Sequence, residues 1–176
     1  MQPKTSTNRL AIFAYGSLLY QPGFAFVGRE RAVAHGFARS FSQASPDHRG
    51  TPERPGRVLT LVRDSAASTV GAAYFVDGPT EKLLAELDYR ERAGYERVRI
   101  EVFTASERLD AISWIALPGN AHDVGSMPLA ALAEHVRSSV GPSGRNDDYV
   151  LALEAALNEL GAVDPLVSGL ATLLRR

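Results

Sequence analysis

Apolar and polar positions alternate along this chain in two periods, and the change from one to the other marks its organisation. Leu10–Tyr15 is a short apolar run followed by Gly16-Ser17, the pattern of a buried strand that ends in a tight turn. Residues 43–56 hold Pro46, Pro52 and Pro55 with Asp47, Gly50 and Gly56, too many turn residues for a strand. They read as a long loop between two strands, a type of segment that is often functional. Arg57–Arg63 and Thr69–Phe75 read as two strands separated by a turn at Asp64–Ala67. A helix is predicted over Thr80–Tyr89, opened by Pro79 and carrying Leu83, Leu84 and Leu87 on one face. Tyr95–Phe103 then sets Val98, Ile100 and Val102 against Arg97, Arg99 and Glu101, a strand with one face buried. Ala111–Leu117 is a second, more apolar strand.

From Pro128 the period becomes helical. Leu129, Leu132, Ala133 and Val136 share a face, and Gly141-Pro142 stops that helix. Asn146 suits an N-cap, with Asp147 and Asp148 in the positive first turn of a helix that runs to about Leu160. Pro165–Arg176 completes the chain as a shorter helix. Strands around one central helix, followed by helices, form no βαβα alternation, so the expected class is α+β.

Composition narrows the functions. A chain of 176 residues, 45% hydrophobic and 22% charged, supports one globular core, and a single domain over residues 1–176 is expected. Residues 1–9 read as a flexible tail. Nineteen Lys and Arg face twenty Asp and Glu, which gives no general footprint for nucleic acid or an anionic membrane. The absence of Cys excludes a disulfide scaffold, a thiolate nucleophile and a Cys-ligated zinc site. The first nine residues hold no apolar signal segment, and no apolar run reaches the roughly 20 residues of a spanning helix. A cytoplasmic protein is the expectation. Basic charge is nearly all Arg, with Lys only at Lys4 and Lys82. Genome composition explains that skew, as does bidentate recognition of a carboxylate.

Common catalytic patterns fit poorly. There is no G-x-S-x-G elbow at Ser17. Asp47 and His48 are adjacent and point apart in extended chain. His35, His48, His122 and His135 have no metal-ligand spacing, and the glycines near Gly141–Gly144 lack the Lys of a P-loop, so no metal or cofactor is expected. Two stretches stand out. A strand ending in Tyr15-Gly16-Ser17 presents successive backbone N–H groups suited to an oxyanion or a carboxylate. Glu91, in Leu87-Asp88-Tyr89-Arg90-Glu91, sits at a helix C-terminus, where acidic groups are disfavoured. A residue that breaks a local rule without compensation is a functional candidate.

Five segments, in order and spacing, carry a resemblance. They are Tyr15-Gly16-Ser17-Leu18, Asp47–Glu53, Pro55–Val58, Leu87–Glu91 with Gly94-Tyr95, and Gly141–Asn146 with Tyr149. Together they resemble the ChaC family of glutathione-specific γ-glutamylcyclotransferases, over about Leu10 to Leu160. The chain departs from the family pattern with Ala14 in place of a Gly, Tyr20 in place of a Trp, and Arg92-Ala93 in place of Lys-Gly. The resemblance implies a small mixed β-barrel with flanking helices, and conversion of glutathione, the small-molecule partner, into 5-oxoproline and Cys-Gly. It places the γ-glutamyl head against Ile12, Phe13, Ala14, Tyr15, Gly16, Ser17 and Leu18, and gives the acid/base role to Glu91. Arg49 and Arg54 in the long loop are candidates for pairing with the glycine carboxylate. Tyr149 and Arg145 are secondary candidates, for which a plain helix-start role is the alternative. Ser17 reads as a hydrogen-bonding residue, not a nucleophile. Alternatives are a cyclotransferase for other γ-glutamyl amino acids or amines, a non-catalytic binding protein on the same fold, and a Ser hydrolase.

Overall fold

The computed structural model describes residues 9–176. The tail expected over residues 1–9 lies, but for Arg9, outside the described residues. Five strands close into a barrel in the order β1-β3-β2-β4-β5: β1 (Leu10–Ala14), β2 (Gly28–Ser45), β3 (Gly56–Val76), β4 (Tyr95–Phe103) and β5 (Arg108–Ala116). Four helices flank it: α1 (Glu81–Arg90), α2 (Leu129–Arg137), α3 (Asn146–Glu159) and α4 (Pro165–Leu174). A two-stranded ribbon, β6 (Val140–Gly141) with β7 (Gly144–Arg145), sits between α2 and α3. The α+β mixed barrel expected from the sequence is what the chain forms. Pairing is antiparallel except at the closure, where β1 runs parallel to β5 through Ile12 and Ile112.

Two expectations are corrected. The polar stretch Asp64–Ala67 does not reverse the chain, because β3 continues through it to Val76. Between His35↔Ser68 and Phe37↔Arg63 the partner strand advances two residues while β3 advances five. The extra residues form an exposed bulge, with Ala66 N–H donating to Asp64 Oδ1 at 3.0 Å. Gly36, opposite, takes the left-handed conformation (φ 77°) that such an irregularity requires. The second correction is Asn146, which does not cap α3. Its buried amide turns to β3 instead: Oδ1 accepts from Arg57 N–H at 2.7 Å and Nδ2 donates to Arg57 O at 2.9 Å.

The core joins the barrel interior to the helices. Ile12 and Phe13 of β1, Leu59 and Tyr74 of β3, Val102 of β4 and Val150, Leu153 and Leu157 of α3 are almost fully buried. Because β1 is short and held on both sides, its C-terminal end is a fixed point. The end of α1 and the start of β4 meet it there.

Candidate active site

The cleft opens where β1 ends. Beyond Ala14 the chain turns at Gly16 and makes one 3₁₀ turn over Ser17–Leu19. The turn is closed by Leu19 N–H to Gly16 O (2.9 Å), Tyr20 N–H to Ser17 O (3.2 Å) and Gln21 N–H to Ser17 O (2.9 Å). The N–H groups of Gly16, Ser17 and Leu18, first in the turn, donate to none of these carbonyls, as at any helix start. Tyr15 anchors the strand end from both of its polar groups. Its hydroxyl donates to Trp114 O at 2.8 Å, and its carbonyl accepts from Arg39 Nε at 3.0 Å.

Glu91 faces this turn across the cleft. It follows the last residue of α1, and its N–H closes the helix on Leu87 O at 2.9 Å. The helix end is fixed against the barrel by Trp114 Nε1, which donates to Asp88 Oδ1 at 2.8 Å. The Glu91 side chain is only 17% exposed, and its Oε1 lies 3.5 Å from Arg90 Nε. Burial pushes its pKa above the ordinary carboxylate value. The Arg90 guanidinium pulls the other way, and the Asp47 carboxylate adds to the rise. Such a group is suited to taking up and returning a proton.

Three tyrosines build the floor, and each hydroxyl is committed to backbone. Tyr149 Oη accepts from Leu59 N–H at 3.2 Å, Tyr95 Oη donates to Leu59 O at 2.5 Å, and Tyr15 Oη donates to Trp114 O. Burial pushes all three phenols upward, so they stay neutral. Phe13 through Leu18, Glu91, Arg49 and Tyr149 all line one cleft of about 880 Å³, open mouth included. Ile12 is fully buried behind it, and Arg54 is exposed on the loop outside it.

A family model described as ChaC-like protein matches residues 10–176. The chain belongs to the ChaC-like family. It is 35% identical over 174 residues to "Gamma-glutamylcyclotransferase 2-3" of Arabidopsis thaliana, covering 93% of this chain and 87% of that one. It is 35% identical over 150 residues to "Glutathione-specific gamma-glutamylcyclotransferase 1" of Homo sapiens, covering 82% and 68%. The crystal structure of a γ-glutamyl cyclotransferase specific to glutathione from yeast superposes with a TM-score of 0.88 at 26% identity, covering 95% of this chain and 96% of that one.

In this ChaC-like chain the long loop between β2 and β3 forms the remaining wall of the cleft. Its backbone is stapled at several points. Arg49 N–H donates to Ser45 Oγ (3.1 Å), Ser143 N–H donates to His48 O (2.9 Å), and His135 Nε2 lies 2.8 Å from Pro55 O. Arg49 stands over the Tyr149 ring with its carbon 5.7 Å from the centroid, and its Nη1 donates to Arg145 O at 3.0 Å. Among the described residues no carboxylate pairs with it. Arg145 is exposed and paired with Asp147 at 2.7 Å. Asp47 and His48 form no relay, since Oδ2 and Nε2 are 4.0 Å apart.

Three further groups in the cleft were not singled out from sequence. Asp47 Oδ1 and Tyr20 Oη are buried with no hydrogen-bond partner among the described residues. Arg90 bridges Glu91 to the turn. Asp47 and Arg90 do lie inside the recognised motifs, whereas Tyr20 had shown only as a departure from the family pattern.

Proposed function

We infer that this chain is a γ-glutamylcyclotransferase that converts glutathione into 5-oxoproline and Cys-Gly. The observation that carries the reading is Glu91. It is a buried carboxylate, raised in pKa, in one cleft with the Tyr15–Leu18 turn of a ChaC-like barrel. The substrate supplies its own nucleophile, which suits a chain without Cys. Glu91 accepts a proton from the α-ammonium. The freed amine attacks the γ-carbonyl carbon, the carbonyl electron pair moves to oxygen, and the five-membered ring closes. Collapse breaks the bond to the cysteine nitrogen, which takes one proton from Glu91 and the second proton of the ring nitrogen, leaving the lactam N–H and the Cys-Gly ammonium.

The N–H groups at the start of the turn suit the α-carboxylate or the developing oxyanion. Orientation is the larger task. Curling the γ-glutamyl chain into attack geometry brings effective molarities on the order of 10⁵ M or more. Arg49, which lines the cleft over Tyr149 and has no carboxylate partner among the described residues, suits the glycine carboxylate, whereas Arg54 lies outside the cleft. No helix among the described residues is long and apolar enough to cross a membrane, and a cytoplasmic location fits a substrate kept reduced there.

The test is product analysis. Purified protein is incubated with glutathione, γ-Glu-Ala and γ-Glu-ε-Lys, and 5-oxoproline is measured. Release from glutathione and a loss of at least ~10²-fold in Glu91→Gln are expected. Arg49→Ala raises KM for glutathione, whereas Arg54→Ala leaves it unchanged. Free glutamate as the product, or near-normal turnover by Glu91→Gln, would sink the reading.

A further inference from the structure

We propose that Arg90 is a positioning residue, whose guanidinium fixes the Glu91 carboxylate relative to the Gly16–Leu18 turn that receives the γ-glutamyl head. The proposal rests on the reading of Glu91 as the proton carrier and names what holds that carboxylate in place. Arg90 is the last residue of α1, and its side chain, 28% exposed, leaves the helix toward the turn that follows β1. Nε lies 3.5 Å from Glu91 Oε1. Nη2 donates to Ser17 Oγ at 3.4 Å, and Nη1 donates to Gln21 O at 3.0 Å and Pro22 O at 3.2 Å.

One planar group therefore joins the proton carrier, the hydroxyl inside the substrate turn and the segment that follows the turn. A Lys would keep the charge but not the fork that makes several contacts in fixed relation. The electrostatic setting points the same way. Glu91 is faced by Arg90 from α1, by Asp47 from the β2–β3 loop, and by the phenols of Tyr15 just after β1, Tyr95 of β4 and Tyr149 of α3. Asp47 raises its proton affinity and the phenols are neutral. The opposing influence comes from Arg90. Without it, burial and Asp47 act unopposed, and Glu91 stays protonated to higher pH, where it cannot take the ammonium proton.

The experiment compares wild type, Arg90→Lys and Arg90→Gln in two measurements. The Glu91 carboxyl is titrated directly by carbon NMR, with Glu91→Gln to assign its signal, and kcat and KM for glutathione are followed against pH. In Arg90→Gln the carboxyl midpoint and the acid limb of kcat should both move to higher pH, by about one unit or more. In Arg90→Lys the midpoint should stay near wild type while KM rises roughly three- to tenfold through the lost fork. An unchanged midpoint in Arg90→Gln, or a uniform loss of kcat at every pH, would overturn the proposal. The NMR titration needs no turnover, so a protein inactive on glutathione would defeat the functional reading and still decide the role of Arg90. If Arg90→Gln does not fold, Arg90→Met replaces it under the same criteria.

Discussion

Arg39 shows how one side chain can serve the site without entering the cleft. Its guanidinium is buried, with the side chain 2% exposed. Nε donates to Tyr15 O at 3.0 Å, Nη2 to Val70 O at 2.6 Å, and Nη1 to Asp164 Oδ2 at 3.0 Å. Asp164 meanwhile caps α4 by accepting from Leu166 and Val167 N–H. The Tyr15 carbonyl, just beyond β1, is thus tied to β3 and to the last helix through one charge. Arg57 does similar work, with Nη1 donating to Phe41 O and to Gly125 O. The abundance of Arg, read from sequence as composition or carboxylate recognition, includes a third use: a delocalised cation that can be buried among backbone carbonyls. Nothing in the spacing of Arg39 reveals this, because its partners come from β1, β3 and α4. Removing one partner of a buried pair leaves the other uncompensated. Arg39→Met should therefore lower stability by about 3 kcal/mol or more, read as the midpoint of urea unfolding. Its surviving folded fraction should bind glutathione more weakly, because the Tyr15 carbonyl is released. A variant with wild-type stability would show that the buried charge is not holding this end of the barrel.

The long loop and the β6–β7 ribbon form one unit, and its assembly explains which parts of the site were legible. The loop was recognisable from its prolines, and the strand that follows it from its apolar run. Glu91 was recognisable because an acid at a helix C-terminus breaks a local rule. The bulge in β3 was misread as a turn because Asp, Ser and Ala mark both, and only the pairing with β2 separates them. Asp47, Tyr20 and Arg90 meet only when loop, turn and helix are brought together, so no local pattern could have joined them. The docking is close. A Cβ on Gly141 would collide with His48 O and Gly50 N, so the ribbon lies against the loop through bare backbone. Gly141→Ala should push the ribbon off the loop. Overpacking of this kind costs about 1–3 kcal/mol, and here it should appear mainly as a raised KM with faster hydrogen exchange across residues 46–55. Exchange and KM identical to wild type would mean that the loop is held without the ribbon.

The molecule carries in its cleft a carboxylate whose burial opposes its charge. In the cleft Glu91 is buried and its pKa is raised, chiefly by desolvation, with Arg90 offsetting part of the rise. The unfolded chain returns it to its ordinary value. Between the two midpoints the folded state holds the proton more tightly than the unfolded state does, so stability falls as pH rises through this window. Above the folded midpoint the full penalty is present, at about 1.4 kcal/mol for each unit of displacement. Below the unfolded midpoint it vanishes. This sign is opposite to that of a carboxylate stabilised by a salt bridge, such as Asp147 beside Arg145, whose depressed pKa favours the fold at neutral pH. Glu91→Gln removes the charge with little change in shape. That variant should melt at a higher temperature than wild type at pH 7.5, while losing its turnover, and the two should converge near pH 4. Thermal unfolding followed at both pH values provides the measurement. A Glu91→Gln protein less stable than wild type at pH 7.5 would show that the ion pair with Arg90 outweighs the cost of burying the carboxylate. Glu91 would then be a residue that stabilises the fold.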